Sequence, residues 1–378
     1  MKKVIILMGR YCPGHKDGGP IRSIANLTGL LGDEYLFHVV CLDRDAGDAL
    51  PYKNIKRNEW NCVGKAWVWY LPPGGFTFST IHFLTRDADV IYSCGFYDDY
   101  GYKTLLLKRF GFLKKTRIAV ASMGTFSPGA LAIKYLKKKI FITACKILGL
   151  FKNIVWSVSS ELEKVDVERN IGKKACCVVA SNIPRMQIFE REANYGEGTL
   201  SVAFLSRISP KKNLYGAIKT LQKYDKKVDF YIYGPAEDQE YWESCQKQLA
   251  LLPPNITWHY GGDIPTDDVL STLGRHDVFL FPTFGENYGH VIFEALAAGC
   301  IPIISDQTPW QCIADHGAGY VLPLSDTMND FVTALRDISE KSVSERTEMM
   351  KKAQQLAADK IAEAKKYTGY RTIFDGNY

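Results

Sequence analysis

Two carboxylates, Glu286 and Glu294, flank NYGHVIF in the stretch Phe284–Gly299, FGENYGHVIFEALAAG, at the mouth of an apolar helix. DVFLFP ahead of them reads as a strand, TFGENYG as a turn, and HVIFEALAA as a helix closed by Gly299 with Pro302 just beyond. The first amides of such a helix, around Tyr288, Gly289 and His290, lack intrahelical partners and sit at the positive end of its dipole, where a phosphate fits without a special pocket. Glu294 falls inside the apolar helix, where a carboxylate is costly unless it accepts hydrogen bonds; the hydroxyls of a ribose would supply them. Glu286, beside Asn287 at the loop tip, could accept from hydroxyls of a second sugar. A solvated Glu286 and a Glu294 that caps or pairs with a lysine satisfy the same spacing, so this stretch alone leaves both readings open.

A second strand, turn and helix follow in VAFLSRISPKKNLYGAIKTL, whose turn offers Arg207, Lys211 and Lys212 beside a new helix N-terminus. A planar guanidinium and a compact ammonium are the usual pair at diphosphate oxygens, although a solvated basic turn has the same composition. The third stretch, CPGHKDGGPIRSIANL, carries Gly18, Gly19 and Pro20 into a helix after the first strand, with His15 and Asp17 alongside. It lacks G-x-G-x-x-G and a following acid for a ribose, which argues against a nicotinamide cofactor. What remains is a glycine loop that lets a ligand approach the backbone.

These stretches need strands to hold them, and the chain supplies strands and helices in alternation. VIILMG, FHVVCL, DADVIYS, RIAVAS, VWSVSS and CCVVAS make one series, and LSVAFLSRIS, VDFYIYG, ITWHYGG, DVFLFP and IPIISD a second, with helical patterns between them. The pattern predicts an α/β chain of two open parallel sheets, each binding ligands beyond the carboxyl ends of its strands. At 378 residues there is room for two domains. The boundary is expected within the polar PRMQIFEREANYGEGTL, giving domains 1–190 and 191–359, with a terminal helix, 360–378, packing back on the first. The first half is net basic and the second net acidic, and residues 101–152 contain no acid at all while their Lys and Arg alternate with Leu, Phe and Ile. Such a segment suits an anionic membrane surface or a phosphorylated substrate. Arg10 interrupts the N-terminal apolar run too early for a signal peptide, and no run approaches a membrane span of about 20 apolar residues. Ten scattered cysteines without a C-x-x-C pair point to reduced thiols in a cytoplasmic protein, not to a zinc site.

Taken together, GHKDGGP, FLSRISPKKN, YIYGP, SMGTFSPGALAIKYLKKK and TFGENYGHVIFEALAAGCIPIISDQTPW resemble the family-4 retaining glycosyltransferases of GT-B fold, which build capsule, O-antigen and other bacterial surface polysaccharides. The resemblance covers nearly the whole chain. It implies two Rossmann-like doubly wound domains facing each other across a cleft, and a hexosyl transfer from a nucleotide-sugar, UDP- before GDP-, to a saccharide acceptor on a lipid. By position, Arg207 and Lys212 would neutralise the diphosphate, Glu294 would hold the ribose and Glu286 the transferred sugar. Amides of Tyr288, Gly289 and His290 would add phosphate contacts, Asn287 would join the donor site, and Tyr233–Gly234 with Gly261–Ile264 would frame the base. Gly18 and Gly19 would cover the diphosphate. The resemblance implies no metal or other cofactor, and no nucleic-acid partner. DRDAGD, with Asp43, Asp45 and Asp48, has the letters of a metal motif but follows the wrong strand. Many relatives carry a histidine where Met123 stands here, so the group nearest the acceptor hydroxyl is left among Asp17, His15, Asp98 and Asp99. An epimerase on the same fold and a non-catalytic sugar-nucleotide-binding subunit are the rival readings.

Overall fold

Short runs of Val, Ile, Leu and Phe, buried on both faces, can be satisfied only as central parallel strands covered by helices, and that is how the chain uses them. The computed structural model describes residues 1–16, 18–132, 134–190 and 199–378. It forms two compact units, Met1–Ile183 with Ala364–Tyr378, and Pro184–Glu363.

In the first unit the described strands are β1 (Lys2–Leu7), β2 (Tyr35–Leu42), β3 (Trp60–Val63), β4 (Ala66–Leu71), β5 (Val90–Ser93), β6 (Arg117–Ala121), β7 (Ile154–Val158) and β8 (Cys176–Val179). They lie in the order β3-β4-β2-β1-β5-β6-β7-β8. All neighbours are parallel except β3 and β4. That antiparallel hairpin, Trp60 opposite Trp69 and Val63 opposite Ala66, was not anticipated from the sequence. Its two-residue turn, Gly64-Lys65, and its alternation of exposed Trp67 with buried Val68 mark an edge element with one wet face.

The second unit holds β9 (Leu200–Leu205), β10 (Val228–Tyr233), β11 (Ile256–Gly262), β12 (Val278–Phe281), β13 (Ile301–Ser305) and β14 (Tyr320–Leu322), ordered β11-β10-β9-β12-β13-β14 and parallel throughout. Three-residue β14 was also missed, being too short for a periodic signal. The helix His290–Ala297 is buried along its whole length within the core that includes Phe204, Phe230, Phe279 and Phe281.

The division falls after Ile183, where the sequence reading placed it after 190. Met186 and Phe189 pack on the core of the second unit, and the Phe189 amide donates to Ala297 O at 3.0 Å, so this polar-looking segment belongs with the second unit. The return falls at Ala364 within the long helix Val343–Lys366, not at 360. The terminal helix Gly369–Asp375 is held on the first unit by Arg371–Glu34 and Lys2–Asp375 ion pairs, both 2.7 Å, and by Phe374 set edge-on against Tyr35.

Candidate functional site

In the second unit, strand order reverses between β9 and β12, which pair directly through Val278–Val202 and Phe279–Ala203. The loops leaving their carboxyl ends therefore emerge side by side, the arrangement that makes a crevice at a topological switch point. The loop after β9 carries Arg207, a 3-10 turn over Pro210–Lys212, and Asn213 with φ 57°. Asn213 joins the two loops: its Nδ2 donates to Pro282 O at 2.8 Å, while its Oδ1 accepts from Gly216 N at 3.0 Å and caps the helix Leu214–Gln222. Lys211 O accepts from Phe284 N at 2.9 Å and from the Thr283 hydroxyl at 3.1 Å.

This lacing sets Lys212 Nζ 2.5 Å from Glu286 Oε1, with side chains only 14% and 12% exposed. Burial pulls the pKa of Lys212 below the ordinary lysine value, the Glu286 carboxylate opposes that fall, and the neighbouring charges of Arg207 and Lys211 add to it. Arg207 is paired elsewhere: its Nη1 lies 2.6 Å from Glu237 Oε1, and both side chains are well exposed. The sequence reading grouped the two cations and overlooked Glu237, in the GPAEDQE loop after β10. Each cation is already matched with its own carboxylate.

Glu286 is backed from the loop after β13, its amide donating to Gln307 O at 3.3 Å. Asn287 is exposed beside it. Gly289 caps the helix His290–Ala297 in the left-handed region at φ 81° without a side-chain cap, and a Cβ there would sit 2.9 Å from Ile292 Cδ1 and 3.3 Å from Trp310 Nε1. Trp310 in turn donates from Nε1 to Tyr288 O at 2.5 Å and meets the Tyr288 ring edge-on. Tyr288 also stacks at a tilt on His290, at 4.7 Å between ring centres. His290 and Glu294 are both buried.

Gly234 follows β10 at φ 121°, and a Cβ on it would meet Ser206 O at 2.0 Å, so this position requires glycine for both conformation and space. Its amide donates to Gly262 O at 2.7 Å, its carbonyl accepts from Tyr260 Oη at 3.0 Å, and Ile264 packs on the same core. The structure thus gathers Arg207, Lys212, Gly234, Ile264, Glu286, Asn287, Tyr288, Gly289, His290 and Glu294 at the carboxyl end of one sheet. Thr283, Gln307, Asn213 and Glu237, which support or occupy them, carried no sequence signal beyond their nearness to the quoted motifs.

In the first unit, Gly18 precedes the helix Gly19–Leu31 with φ 64°, and a Cβ on Gly19 would have no neighbour within 4 Å. Asp17 lies outside the described residues. The loop is tied down by Asp45, whose Oδ2 accepts from His15 N at 2.8 Å and Lys16 N at 3.1 Å. Burial acts to raise the Asp45 pKa, but these amides and that of Ala46 bring it below the usual value. Asp43 is likewise committed, to Arg44 at 2.8 Å and Arg57 at 2.7 Å, and Asp48 to Lys16 at 2.5 Å. Asp98 accepts from Tyr100 Oη at 3.1 Å and Asp99 pairs with Lys103 at 2.7 Å. Met123 occupies a turn at φ 47°, next to Gly124, whose amide donates to Glu163.

Residues 187–356 match the family model described as "Glycosyl transferases group 1". No curated protein matches the sequence. Among solved structures, HepE of Anabaena in complex with UDP-glucose superposes with TM-score 0.66 at 14% identity over 96% of each chain. Sucrose-phosphate synthase of Thermosynechococcus elongatus gives 0.73 at 13% over 100% of each. WaaG, a glycosyltransferase involved in lipopolysaccharide biosynthesis, gives 0.64 at 13% over 94% of this chain and 95% of that one. The fold is the two-domain, Rossmann-like GT-B fold, and the chain is a glycosyltransferase.

Proposed function

We propose that this glycosyltransferase moves a hexose or related sugar from a UDP-sugar to a saccharide acceptor carried on a lipid, with retention of anomeric configuration and without a metal ion, in surface-polysaccharide synthesis. The observation that carries the reading is the buried Lys212–Glu286 pair at the switch point, beside a helix start with no side-chain cap and a buried Glu294. An arriving diphosphate takes over Lys212, and Glu286, released, turns to hydroxyls of the transferred sugar. Arg207 exchanges Glu237 for phosphate oxygen. As the glycosidic bond to the diphosphate breaks, negative charge grows on the leaving oxygen, and the two cations and the helix amides near Gly289 and His290 stabilise it. Glu294 accepts from the ribose hydroxyls, and the loops at Gly234 and Ile264 frame the base. The resemblance gives Gly18 and Gly19 of the first unit the role of a close-approach loop for the donor, and Asp17 is the candidate near the acceptor hydroxyl.

The UDP assignment draws support from HepE, solved with UDP-glucose, and the polysaccharide assignment from WaaG. Fixed side-chain cations take the place of a metal ion in this reading, and the carboxylates of DRDAGD are already engaged by arginines, a lysine and loop amides. The place of action is the cytoplasmic face of an anionic membrane. Among the described residues no helix is long and apolar enough to cross one. The helix Tyr135–Ile147 instead exposes Leu136, Ile140 and Ile147 together with Lys137, Lys139 and Lys146. Arg109 donates from Nε to Leu148 O at 2.9 Å, so exposed Phe110 adjoins the end of that helix. Apolar side chains among lysines are the composition of a peripheral membrane face.

A thermal-shift series across UDP, GDP, ADP and their sugars tests the donor, since a ligand of the native state raises its stability with affinity and concentration. UDP-sugars are expected to shift the transition most. Arg207→Ala and Glu294→Gln should abolish turnover in folded protein; unchanged turnover in either overturns the assignment.

A further inference from the structure

We propose that the first unit holds a separate pocket for an uncharged sugar residue, between β4 and the helix Phe78–Thr85; calling that residue part of the acceptor rests on the function proposed above. A cavity of about 440 Å³ opens there, a size within the roughly 300–1,000 Å³ typical of small-molecule sites. Its walls come from Trp69 and Leu71 of β4, from Asn58 ahead of the hairpin, and from Thr77, Thr80 and Phe83 around the helix. No lining residue carries a charge, although the adjoining 101–152 segment has basic residues and no acid to balance them.

Three features specify the occupant. First, Trp69 lines the cavity and is held there by packing edge-on against Trp60, 5.2 Å between ring centres. Second, Thr77 accepts from Thr80 N at 3.1 Å and shares hydrogen bonds with Ser79 Oγ at 3.0 Å and Thr80 Oγ1 at 2.8 Å, a fixed set of hydroxyls on one side. Third, the Phe83 ring stands 55% exposed beside the opening, with Arg86 over it at 5.2 Å from the ring centre. Aromatic surface next to neutral donors and acceptors suits a pyranose, which presents apolar C–H faces and an equatorial belt of hydroxyls. An acyl chain would strand the hydroxyls and the amide of Asn58, and a phosphate would find no charge among the lining residues, with Arg86 at the rim placed over the Phe83 ring.

The test is ligand-observed NMR on the full chain with N-acetylglucosamine, glucose and galactose, using glucuronate and glucose 6-phosphate as charged counterparts. Thr80→Trp fills the cavity and Phe83→Ala removes the exposed ring, and UDP binding is measured in parallel. Neutral sugars should bind, the charged ones should not, and affinity should fall at least about tenfold in each variant while UDP binding stays as in the parent. The proposal is overturned if no neutral sugar binds, if binding survives both substitutions, or if UDP displaces the sugar. Should Thr80→Trp fail to fold, Phe83→Ala decides alone, since its ring is mostly in solvent. Sugar binding that follows the variants in a protein without nucleotide-sugar turnover would refute the proposed function and leave the pocket standing. Turnover with sugar binding indifferent to both variants would do the reverse.

Discussion

Glu286→Gln leaves the Lys212 ammonium without a counter-charge in a site where the lysine side chain is only 14% exposed. Breaking a buried pair by removing one partner costs about 3–5 kcal/mol. The lysine can limit that cost by giving up its proton, which at pH 7 takes at most about 4.6 kcal/mol from an ordinary pKa and less from one already lowered by burial. A loss of about 3 kcal/mol is therefore expected, a fall of about 6–12 °C in the unfolding temperature for a unit of this size. Lys212→Met strands Glu286 with little more than the Thr283 hydroxyl, 3.4 Å away, and should cost a similar amount. The double variant should lose less than the sum by about 2 kcal/mol, because the ions stabilise mainly each other. Calorimetric unfolding of the four proteins, with and without UDP, reads all of this. The diphosphate replaces the missing carboxylate, so UDP should restore Glu286→Gln and not Lys212→Met. The pH dependence has a definite sign. Between the lowered folded pKa of Lys212 and its unfolded value, the unfolded chain binds more protons, so this group's contribution to stability rises with pH. Without Glu286 that window widens, and the deficit of Glu286→Gln should shrink toward alkaline pH. Effects that add within about 0.5 kcal/mol, or a deficit that ignores pH, would refute the reasoning.

Gly234→Ala should destabilise by more than about 2 kcal/mol in denaturant titration, since its Cβ would meet Ser206 O at 2.0 Å. Gly19→Ala, with open space around the added carbon, should keep stability within about 0.5 kcal/mol yet weaken donor binding, as a UDP-sugar titration will reveal. Asp45→Asn should cost about 1–2 kcal/mol at neutral pH and raise the donor KM, because the His15 and Lys16 amides lose a charged acceptor. The folded pKa of Asp45 is depressed, so its contribution is present above the unfolded value and lost as pH falls through the folded one; acid titration of the variant should lack that step. Replacing Lys137, Lys139 and Lys146 together by Gln should abolish flotation with anionic vesicles and leave solution turnover on soluble substrates unchanged.

Much of the local structure around Glu286 and Arg207 could be read from the linear order. An apolar strand, a glycine turn and a helix opening at His290 follow from local composition, and so does the basic turn at Arg207–Lys212, because turn residues and helix starts are written within a few positions of one another. The hairpin Trp60–Leu71 went unread because its aromatic alternation belongs to one wet face at a sheet edge, a context that local periodicity does not reveal. Phe189 sat in a segment that looked like a linker, and only its packing against the second core assigns it to that unit.

Partnership was the part that sequence left undecided. Lys212 and Glu286 are 74 residues apart, and their meeting depends on β9 and β12 being neighbours, which is a property of strand order and not of either motif. In the same sheet the β9–β10 pairing gives Arg207 to Glu237, and in the first unit the β1–β2 pairing turns the DRDAGD aspartates into loop anchors. Sequence by itself determined which local units form and which charges each can offer, because propensity, capping and turn chemistry act over a few residues. Tertiary structure decided which charges neutralise one another, because Coulombic pairing and desolvation act through space and depend on which loops the sheet sets side by side.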